Sequence, residues 1–183
     1  MVLADGVAYA TQVIKPTHMM DLATLTGAQM MCTGMKHAAI MSNCEEFESL
    51  VRQAGFTSGD WVYPILYCPE LVTSALSLVL HQRFKSSKKL KKEFESQVAD
   101  LKNSVKDRMN ASSSAAGHFI EEHFDPEWKG KWCHVDIGTF LLAKSLCFPL
   151  LTIWIAGPSA KNDRGTGFGV ALVVDVAKRL LKA

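Results

Sequence analysis

A short apolar stretch that runs into a threonine- and glycine-rich turn constrains the fold of this chain more than any other feature. Residues 19–25 form a mainly apolar run bounded by turn-forming residues, which is the pattern of a buried strand. Thr24, Thr26 and Gly27 place hydroxyl groups and a permissive backbone where that strand would end. Ligands bind beyond the carboxyl ends of strands in open α/β sheets, so a site is predicted here. The alternative is a core strand followed by a glycine turn.

The composition limits the classes of protein to which the chain can belong. Its 183 residues suit one domain, and a net charge of +2 is too small to imply a polyanionic partner. A lysine-rich run over residues 81–92 is interpreted as solvated surface, because Phe84 alone offers no stacking platform for bases. Five cysteines without CxxC spacing favour reduced thiols and a cytoplasmic location, and the first ten residues lack the basic region of a signal peptide.

Helical and strand periodicities alternate along the chain, which predicts an α/β fold. Strands are expected over residues 19–25, 37–41 and 132–137. Helices are expected over residues 2–12, from Ala28 to near Gly34, over 44–54 with Gly55 as the C-cap, over 115–124 and over 170–181, and residues 61–71 are expected to be extended and irregular.

The apolar stretch at residues 138–155 interrupts this alternation. Lys144 and Pro149 break a run that is already slightly short for a membrane span, so no membrane association is predicted. Two interpretations stay open: a buried hairpin or a non-native insertion.

No self-sufficient catalytic set emerges from the residues alone. The sequence contains neither an HExxH zinc motif nor a GxSxG nucleophile elbow. His118 and His123 lie five residues apart on a predicted helix and therefore point in different directions. Cys133 and His134 alternate sides of a predicted strand, so they cannot converge on one ion. Asp136 is interpreted as a structural hydrogen-bonding residue.

Five blocks in order carry a resemblance to a known family. They begin at Val2 (Val-Leu-Ala-Asp-Gly-Val-Ala-Tyr-Ala), Asp21 (Asp-Leu-Ala-Thr-Leu-Thr-Gly-Ala), Ala99 (Ala-Asp-Leu-Lys-Asn), His134 (His-Val-Asp-Ile) and Gly165 (Gly-Thr-Gly-Phe-Gly-Val). Together they resemble the leucyl (cytosol) aminopeptidase family. The Gly165 block and Tyr67-Cys-Pro-Glu-Leu are most similar to its animal probable aminopeptidase-like branch.

The resemblance implies a C-terminal catalytic domain with a three-layer α/β/α sandwich around a mixed, mostly parallel sheet, here incomplete. Members of this family are expected to form homo-oligomers, usually hexamers, and to release N-terminal residues from peptides. Their site holds two divalent metals, zinc or manganese, with a bicarbonate held by an arginine and an assisting lysine. By similarity, the substrate-binding residues are Thr24, Leu25, Gly27 and Ala156, with the Leu25 carbonyl facing the peptide amine.

One departure from the family pattern concerns the metals. The family signature Asn-Thr-Asp-Ala-Glu-Gly-Arg, with two metal-binding carboxylates and the catalytic arginine, directly precedes the segment that residues 1–5 match. The other ligands and the lysine lie further upstream. We therefore expect no metal-ligating or catalytic residue within residues 1–183, and no tight binding of metal or bicarbonate.

A second departure concerns two segments that interrupt the family pattern. Residues 72–92 have no counterpart, and removing 138–155 joins Ile137 to Ala156 as in the family. We interpret both segments as insertions, and retained introns are the hypothesis for their origin. Residues 1–183 would then be a partial peptidase domain that is inactive alone. The alternative is a non-catalytic pseudo-enzyme subunit that binds full-length protomers or other partners.

Overall fold

The computed structural model describes residues 2–67, 96–99, 101–102, 111–141, 153–156 and 166–182. The chain divides into two compact units, each described here by itself. The first contains Met1–Thr17 and Leu66–Gly130, and the second contains His18–Ile65 and Lys131–Ala183.

A four-stranded mixed sheet forms the second unit, with the strand order β1-β4-β2-β3. β1 pairs in parallel with β4 and β2 pairs in parallel with β3, whereas β2 and β4 are antiparallel. The four strands are β1 (His18–Ala23), β2 (Ala38–Ser42), β3 (Val62–Pro64) and β4 (Lys131–Asp136). The α/β prediction is confirmed, and the expected irregular connection over residues 61–71 contains the short strand β3.

The hydrophobic core of this unit lies between one face of the sheet and two helices. These helices are α3 (Glu45–Ser58) and α5 (Val170–Leu180), while the short α2 (Gln29–Thr33) lies between β1 and β2. Alternate side chains of β4 point into this core, as the period of two requires. The buried residues of the cluster are Ala38, Ile40, Phe47, Val51, Ala54, Val62, Cys133, Val135, Leu172 and Val176.

The end of α3 differs from the prediction. Gly55 is buried inside the helix, and a Cβ atom there would lie 3.0 Å from the Asp60 carbonyl oxygen. The helix ends at Gly59, whose φ of 81° is left-handed and whose N–H donates to the Gly55 carbonyl. Glycine at position 55 therefore permits close packing against the following strand, and the second glycine provides the C-cap.

The beginning of α5 is tied to the loop between α3 and β3. The side chain of Asp60 accepts hydrogen bonds from the main-chain N–H groups of Gly169 (3.0 Å) and Leu172 (3.1 Å). The carboxylate thereby satisfies donors of the first helical turn that have no partner inside the helix. The predicted stripe of Leu172, Val176 and Leu180 packs on the core, as expected.

A short antiparallel pair accounts for the two ends of the interrupting segment after β4. β5 (Gly138–Leu141) pairs with β6 (Ile153–Ala156), and Gly138 lies opposite Ala156. The hairpin interpretation agrees with this pairing. The intervening residues 142–152, like the predicted insertion at 72–92, lie outside the described residues.

Helices dominate the described part of the first unit. They are α1 (Val2–Tyr9), which continues as a π-helix (Ala10–Ile14), and α4 (Ser112–Glu121). The hydroxyl of Thr11 donates to the Val7 carbonyl at 2.9 Å and accepts from the Asp125 N–H at 3.0 Å. α4 begins three residues before its predicted start. Within the described ranges, no helix is long and apolar enough to cross a membrane.

Candidate functional site

The candidate site is the loop of residues 24–27, which leaves the carboxyl end of β1. Because β1 and β4 are parallel, with Ala23 opposite Asp136, both strands end at the same edge of the sheet. Thr24 is exposed, whereas Leu25 and Gly27 are half-buried. The loop thus occupies the position that the sequence predicted for a site.

The carboxylate of Asp136 holds this loop in place. Its Oδ1 atom accepts hydrogen bonds from the N–H groups of Leu25 (3.1 Å) and Gly138 (2.9 Å), with a longer contact to the Thr26 N–H (3.5 Å). Its Oδ2 atom accepts from the Thr26 hydroxyl at 2.7 Å. Asp136 is fully buried, so these donors replace water around the carboxylate.

The Thr26 hydroxyl extends the network to α2. It accepts a hydrogen bond from the Gln29 N–H at 3.2 Å, so it satisfies a donor of the first turn of that helix. The loop is therefore anchored to the end of β4 on one side and to the start of α2 on the other.

Gly138 allows the loop to approach β5 closely. A Cβ atom at this position would lie 2.5 Å from the Thr26 carbonyl oxygen and 2.9 Å from Asp136 Oδ1. Because Gly138 pairs with Ala156, the backbone of Ala156 lies beside the residue that follows Ile137, although Gly138 and Ala156 are 18 positions apart in the chain. The strand pairing thus places Ala156 at the start of β5.

A second group of buried polar side chains involves His134, which lies two residues before Asp136 on β4. His134 Nδ1 donates to Asp21 Oδ1 at 2.6 Å, and Trp132 Nε1 donates to Asp21 Oδ2 at 2.7 Å. All three side chains are buried. His134 Nε2 has no hydrogen-bond partner among the described residues. This group connects β1 to β4 and sets their register.

The described residues do not fit the two-metal centre that the resemblance implies. No three His, Cys, Asp or Glu side chains within the described ranges are grouped so that they could hold a metal ion. Both oxygens of Asp21 and both oxygens of Asp136 already accept hydrogen bonds from N–H or O–H donors. Every oxygen of these two carboxylates therefore already has a donor from the protein itself.

The histidines that the sequence analysis considered as a metal pair have other partners. His118 Nδ1 lies 2.9 Å from Glu121 Oε2, and the same carboxylate accepts from the Tyr67 hydroxyl at 2.6 Å. His123 Nδ1 lies 2.8 Å from the Phe119 carbonyl oxygen. These contacts lie within the first unit and give each ring a protein partner close to it in the chain.

The free cysteines of the described chain differ in their exposure to solvent. Cys32 is exposed, Cys44 is half-buried and Cys133 is buried in the core. Burial raises the pKa of the Cys133 thiol well above its ordinary value, with the nearby Asp21 carboxylate adding to the effect. Cys133 therefore stays protonated and acts as a core side chain.

Sequence reasoning identified the loop but assigned Asp136 only a general structural role. The three polar residues of β4 were expected on one face, and the structure places Trp132, His134 and Asp136 there. The partners of Asp136 lie 110 and 111 positions earlier in the chain. Spacing within β4 carries no information about such distant partners.

These observations define the class of the second unit: an α/β unit whose candidate site is a loop at the carboxyl ends of two parallel strands. The chain belongs to the cytosol aminopeptidase family, since the model of the family's catalytic domain matches residues 1–174.

Individual relatives agree with this assignment. The chain is 41% identical over 174 residues to the probable aminopeptidase NPEPL1 of Homo sapiens, which covers 95% of this chain and 26% of that protein. It is similar in structure to the leucyl aminopeptidase of Trypanosoma cruzi, with a TM-score of 0.74, 40% identity and coverage of 98% and 28% of the two chains. The Trypanosoma brucei leucyl aminopeptidase in complex with bestatin gives a TM-score of 0.73 at 34% identity, with coverage of 97% and 28%. The chain thus spans about a quarter of the length of these relatives.

Proposed function

We propose that residues 1–183 form the substrate-binding part of an aminopeptidase catalytic domain. In this proposal Thr24, Leu25, Gly27 and Ala156 line the position of the first residue of a peptide. The observation that carries the proposal is the loop of residues 24–27, fixed by Asp136 at the carboxyl edge of the sheet in a member of this family. A preorganised loop binds a ligand without the cost of ordering itself first.

We further propose that residues 1–183 by themselves do not hydrolyse peptides. Two divalent metals, zinc or manganese, would supply a hydroxide nucleophile and polarise the scissile carbonyl in the complete family site. The protein donors on both oxygens of Asp21 and of Asp136 support the view that neither carboxylate is a metal ligand.

Hydrolysis of leucine p-nitroanilide by the purified 183-residue chain tests this proposal. With manganese or zinc added, we expect no release of nitroaniline above a control without protein. In parallel, nuclear magnetic resonance should show that leucinamide perturbs the amide signals of residues 24–27. Robust turnover would refute the proposed inactivity, and an absence of perturbation would refute the proposed binding role.

A second candidate function is that of a non-catalytic subunit that binds full-length protomers. The observation that favours it is an apolar stripe on α5, on a different side of the helix from Leu172 and Val176. Val170 is 66% exposed and Leu181, just after the helix, is 88% exposed, with Val173 and Val174 between them at 41% and 47%. An apolar helix face of this kind favours a protein partner.

Co-purification distinguishes this second candidate. The tagged chain is expressed together with a full-length relative, and the complex is measured by size-exclusion chromatography with light scattering. Binding that is lost in a Val170→Asp, Val174→Asp variant supports the subunit role. Separate elution of the two proteins contradicts it. The resemblance also implies a homo-oligomer, usually a hexamer. Light scattering of the purified chain without a partner measures its molar mass and tests this assembly.

The cytoplasm is the location that we propose for the protein. The described cysteines are free thiols, which suits a reducing compartment. Two bacterial relatives are named probable cytosol aminopeptidases. Fluorescence microscopy of a tagged chain, with fractionation as a second measurement, tests this location.

A further inference from the structure

We propose that the end of α2 and the turn after it bind one Cu(I) ion, with the sulfur atoms of Met31, Cys32 and Met35 as its ligands. The three sulfur-containing side chains lie within residues 31–35 of the chain. The proposed site is separate from the loop of residues 24–27, and it does not depend on the proposed aminopeptidase function.

Solvent exposure is the first observation that supports this site. Met31 is 86% exposed, Met35 is 52% exposed, and Cys32 is an exposed free thiol. Gln29, on the same helix, is fully buried. The short helix therefore turns its amide-bearing side toward the protein and presents its thiol and a thioether to water, where an ion can reach them.

A hydrogen-bonded turn keeps these residues together. Gly34 ends α2 with a left-handed φ of 79°. Gln29 Nε2 donates to the Thr33 hydroxyl oxygen and to the His37 carbonyl, each at 2.6 Å, and the Thr33 hydroxyl donates to the same carbonyl at 3.0 Å. The chain thus turns back on itself between Thr33 and His37, and Met35 lies in the middle of this closed turn, next to the end of the helix.

Sulfur ligands of this kind select Cu(I) over divalent metals. Thiolates and thioethers are soft donors that suit Cu(I), whereas manganese prefers oxygen ligands. Structural zinc sites take four thiolate, imidazole or carboxylate ligands. No three His, Cys, Asp or Glu side chains of the described ranges are grouped so that they could supply such a set. One thiolate with two thioethers therefore fits Cu(I), and the divalent metals of the family site are not expected here.

Binding requires the loss of a proton and no transfer of electrons. Cu(I) displaces the thiol proton of Cys32, which passes to the buffer, and the ion forms one bond to the thiolate sulfur and two bonds to neutral thioether sulfurs. The long, unbranched methionine side chains rotate freely enough to bring their sulfurs to the ion. A reducing compartment, as proposed for this protein, keeps Cys32 available as a thiol.

Competition for Cu(I) tests the proposal on the purified 183-residue chain. The probe is the coloured Cu(I) complex of bicinchoninate under anaerobic, reducing conditions, and the loss of its absorbance measures the transfer of copper to the protein. We expect Cys32→Ser to remove one equivalent of bound Cu(I). We expect Met31→Leu combined with Met35→Leu to weaken binding by about tenfold or more, because leucine keeps the size of the side chain without its sulfur.

Two variants are matched controls for these substitutions. Cys44→Ser removes a half-buried thiol of the same unit, and Met19→Leu combined with Met20→Leu removes two half-buried thioethers from β1. Both variants should bind this equivalent of Cu(I) with an affinity within about twofold of wild type, since neither alters the turn after α2.

Nuclear magnetic resonance of the wild-type chain gives a second measurement that needs no variant to fold. Cu(I) is diamagnetic, so the ε-methyl signals of Met31 and Met35 should move on binding while those of Met19 and Met20 stay in place. Unmoved Met31 and Met35 signals would overturn the proposal. So would full Cu(I) binding by Cys32→Ser, or an unchanged affinity after both thioethers of the turn are removed.

A wild-type chain that takes no copper from bicinchoninate would overturn it as well.

Discussion

At the scale of single residues, two buried aspartates in parallel strands have different structural roles, although both accept hydrogen bonds through their carboxylates. Asp21 accepts from His134 and Trp132 and thereby joins β1 to β4. Asp136 accepts from the loop that follows β1. In each case the carboxylate is buried and its oxygens accept hydrogen bonds, as a buried charge requires. The first carboxylate fixes the register between β1 and β4, and the second fixes the conformation of the loop at residues 24–27.

Removing His134 tests the first of these roles. His134→Ala leaves the buried Asp21 carboxylate without its closest donor, and we expect the free energy of unfolding to fall by about 3 kcal/mol. The measurement is urea denaturation followed by tryptophan fluorescence.

Lys131→Ala is the matched control for this prediction, because it breaks the exposed pair between Lys131 Nζ and Glu46 Oε2 (2.9 Å) in the same strand. We expect it to change stability far less, since solvent screens that pair. Equal losses in the two variants would contradict the role given to the buried group.

At the scale of elements, glycines decide how two of the helices pack and end. Gly55 lies inside α3 against the Asp60 carbonyl and the Val62 side chain, each 3.0 Å from a Cβ placed there. Gly6 lies on the exposed side of α1, where a Cβ would meet nothing within 4 Å. Close packing therefore explains the glycine in α3, whereas no packing contact explains the glycine in α1.

Alanine substitutions at these two glycines should have opposite effects. Gly55→Ala is expected to destabilise the protein by about 1 kcal/mol, because the cost of overpacking exceeds the gain in helix propensity. Gly6→Ala is expected to stabilise it by about 0.5–1 kcal/mol, since only the propensity term applies.

Thermal unfolding by calorimetry measures both glycine effects. A stabilising Gly55→Ala would show that the turn after α3 relaxes freely around the added methyl group.

At the scale of the whole molecule, the chain contains an α/β unit with the candidate site at residues 24–27 but, within the described residues, no group of His, Cys, Asp or Glu side chains suited to a metal ion. The relatives that it matches are about four times as long. The proposed function therefore requires that the metal-ligating groups of the complete site come from outside the described residues.

Manganese should consequently leave the stability of the 183-residue chain unchanged. A site with a Kd of about 1 μM would raise the free energy of unfolding by about 4 kcal/mol at about 1 mM metal. For a chain of this size that corresponds to a rise in Tm of about 8 °C or more. We expect a shift below about 1 °C by differential scanning fluorimetry. A rise of several degrees that EDTA reverses would show that the chain holds the metal itself.

Local patterns in the sequence determined the type and approximate position of most described elements. The period of two predicted β4 and the shared face of Trp132, His134 and Asp136, and the 3.6-residue period predicted α5. The resemblance carried by short motifs predicted the family, which the match over residues 1–174 shows. These features depend on residues close together in the chain, where side-chain direction follows directly from backbone geometry.

Tertiary structure alone decided the features that join distant parts of the chain. The insertion of β4 between β1 and β2 selects the loop at residues 24–26 as the partner of Asp136, 110 and 111 positions away. Gly55 packs closely against Asp60 and Val62 inside α3, and the helix continues beyond it to the C-cap at Gly59. The pairing of Gly138 with Ala156 brings together two residues that are 18 positions apart in the chain. A local pattern cannot specify such contacts, because the free energy of each depends on which other segments compete for the same hydrogen bonds and the same buried surface.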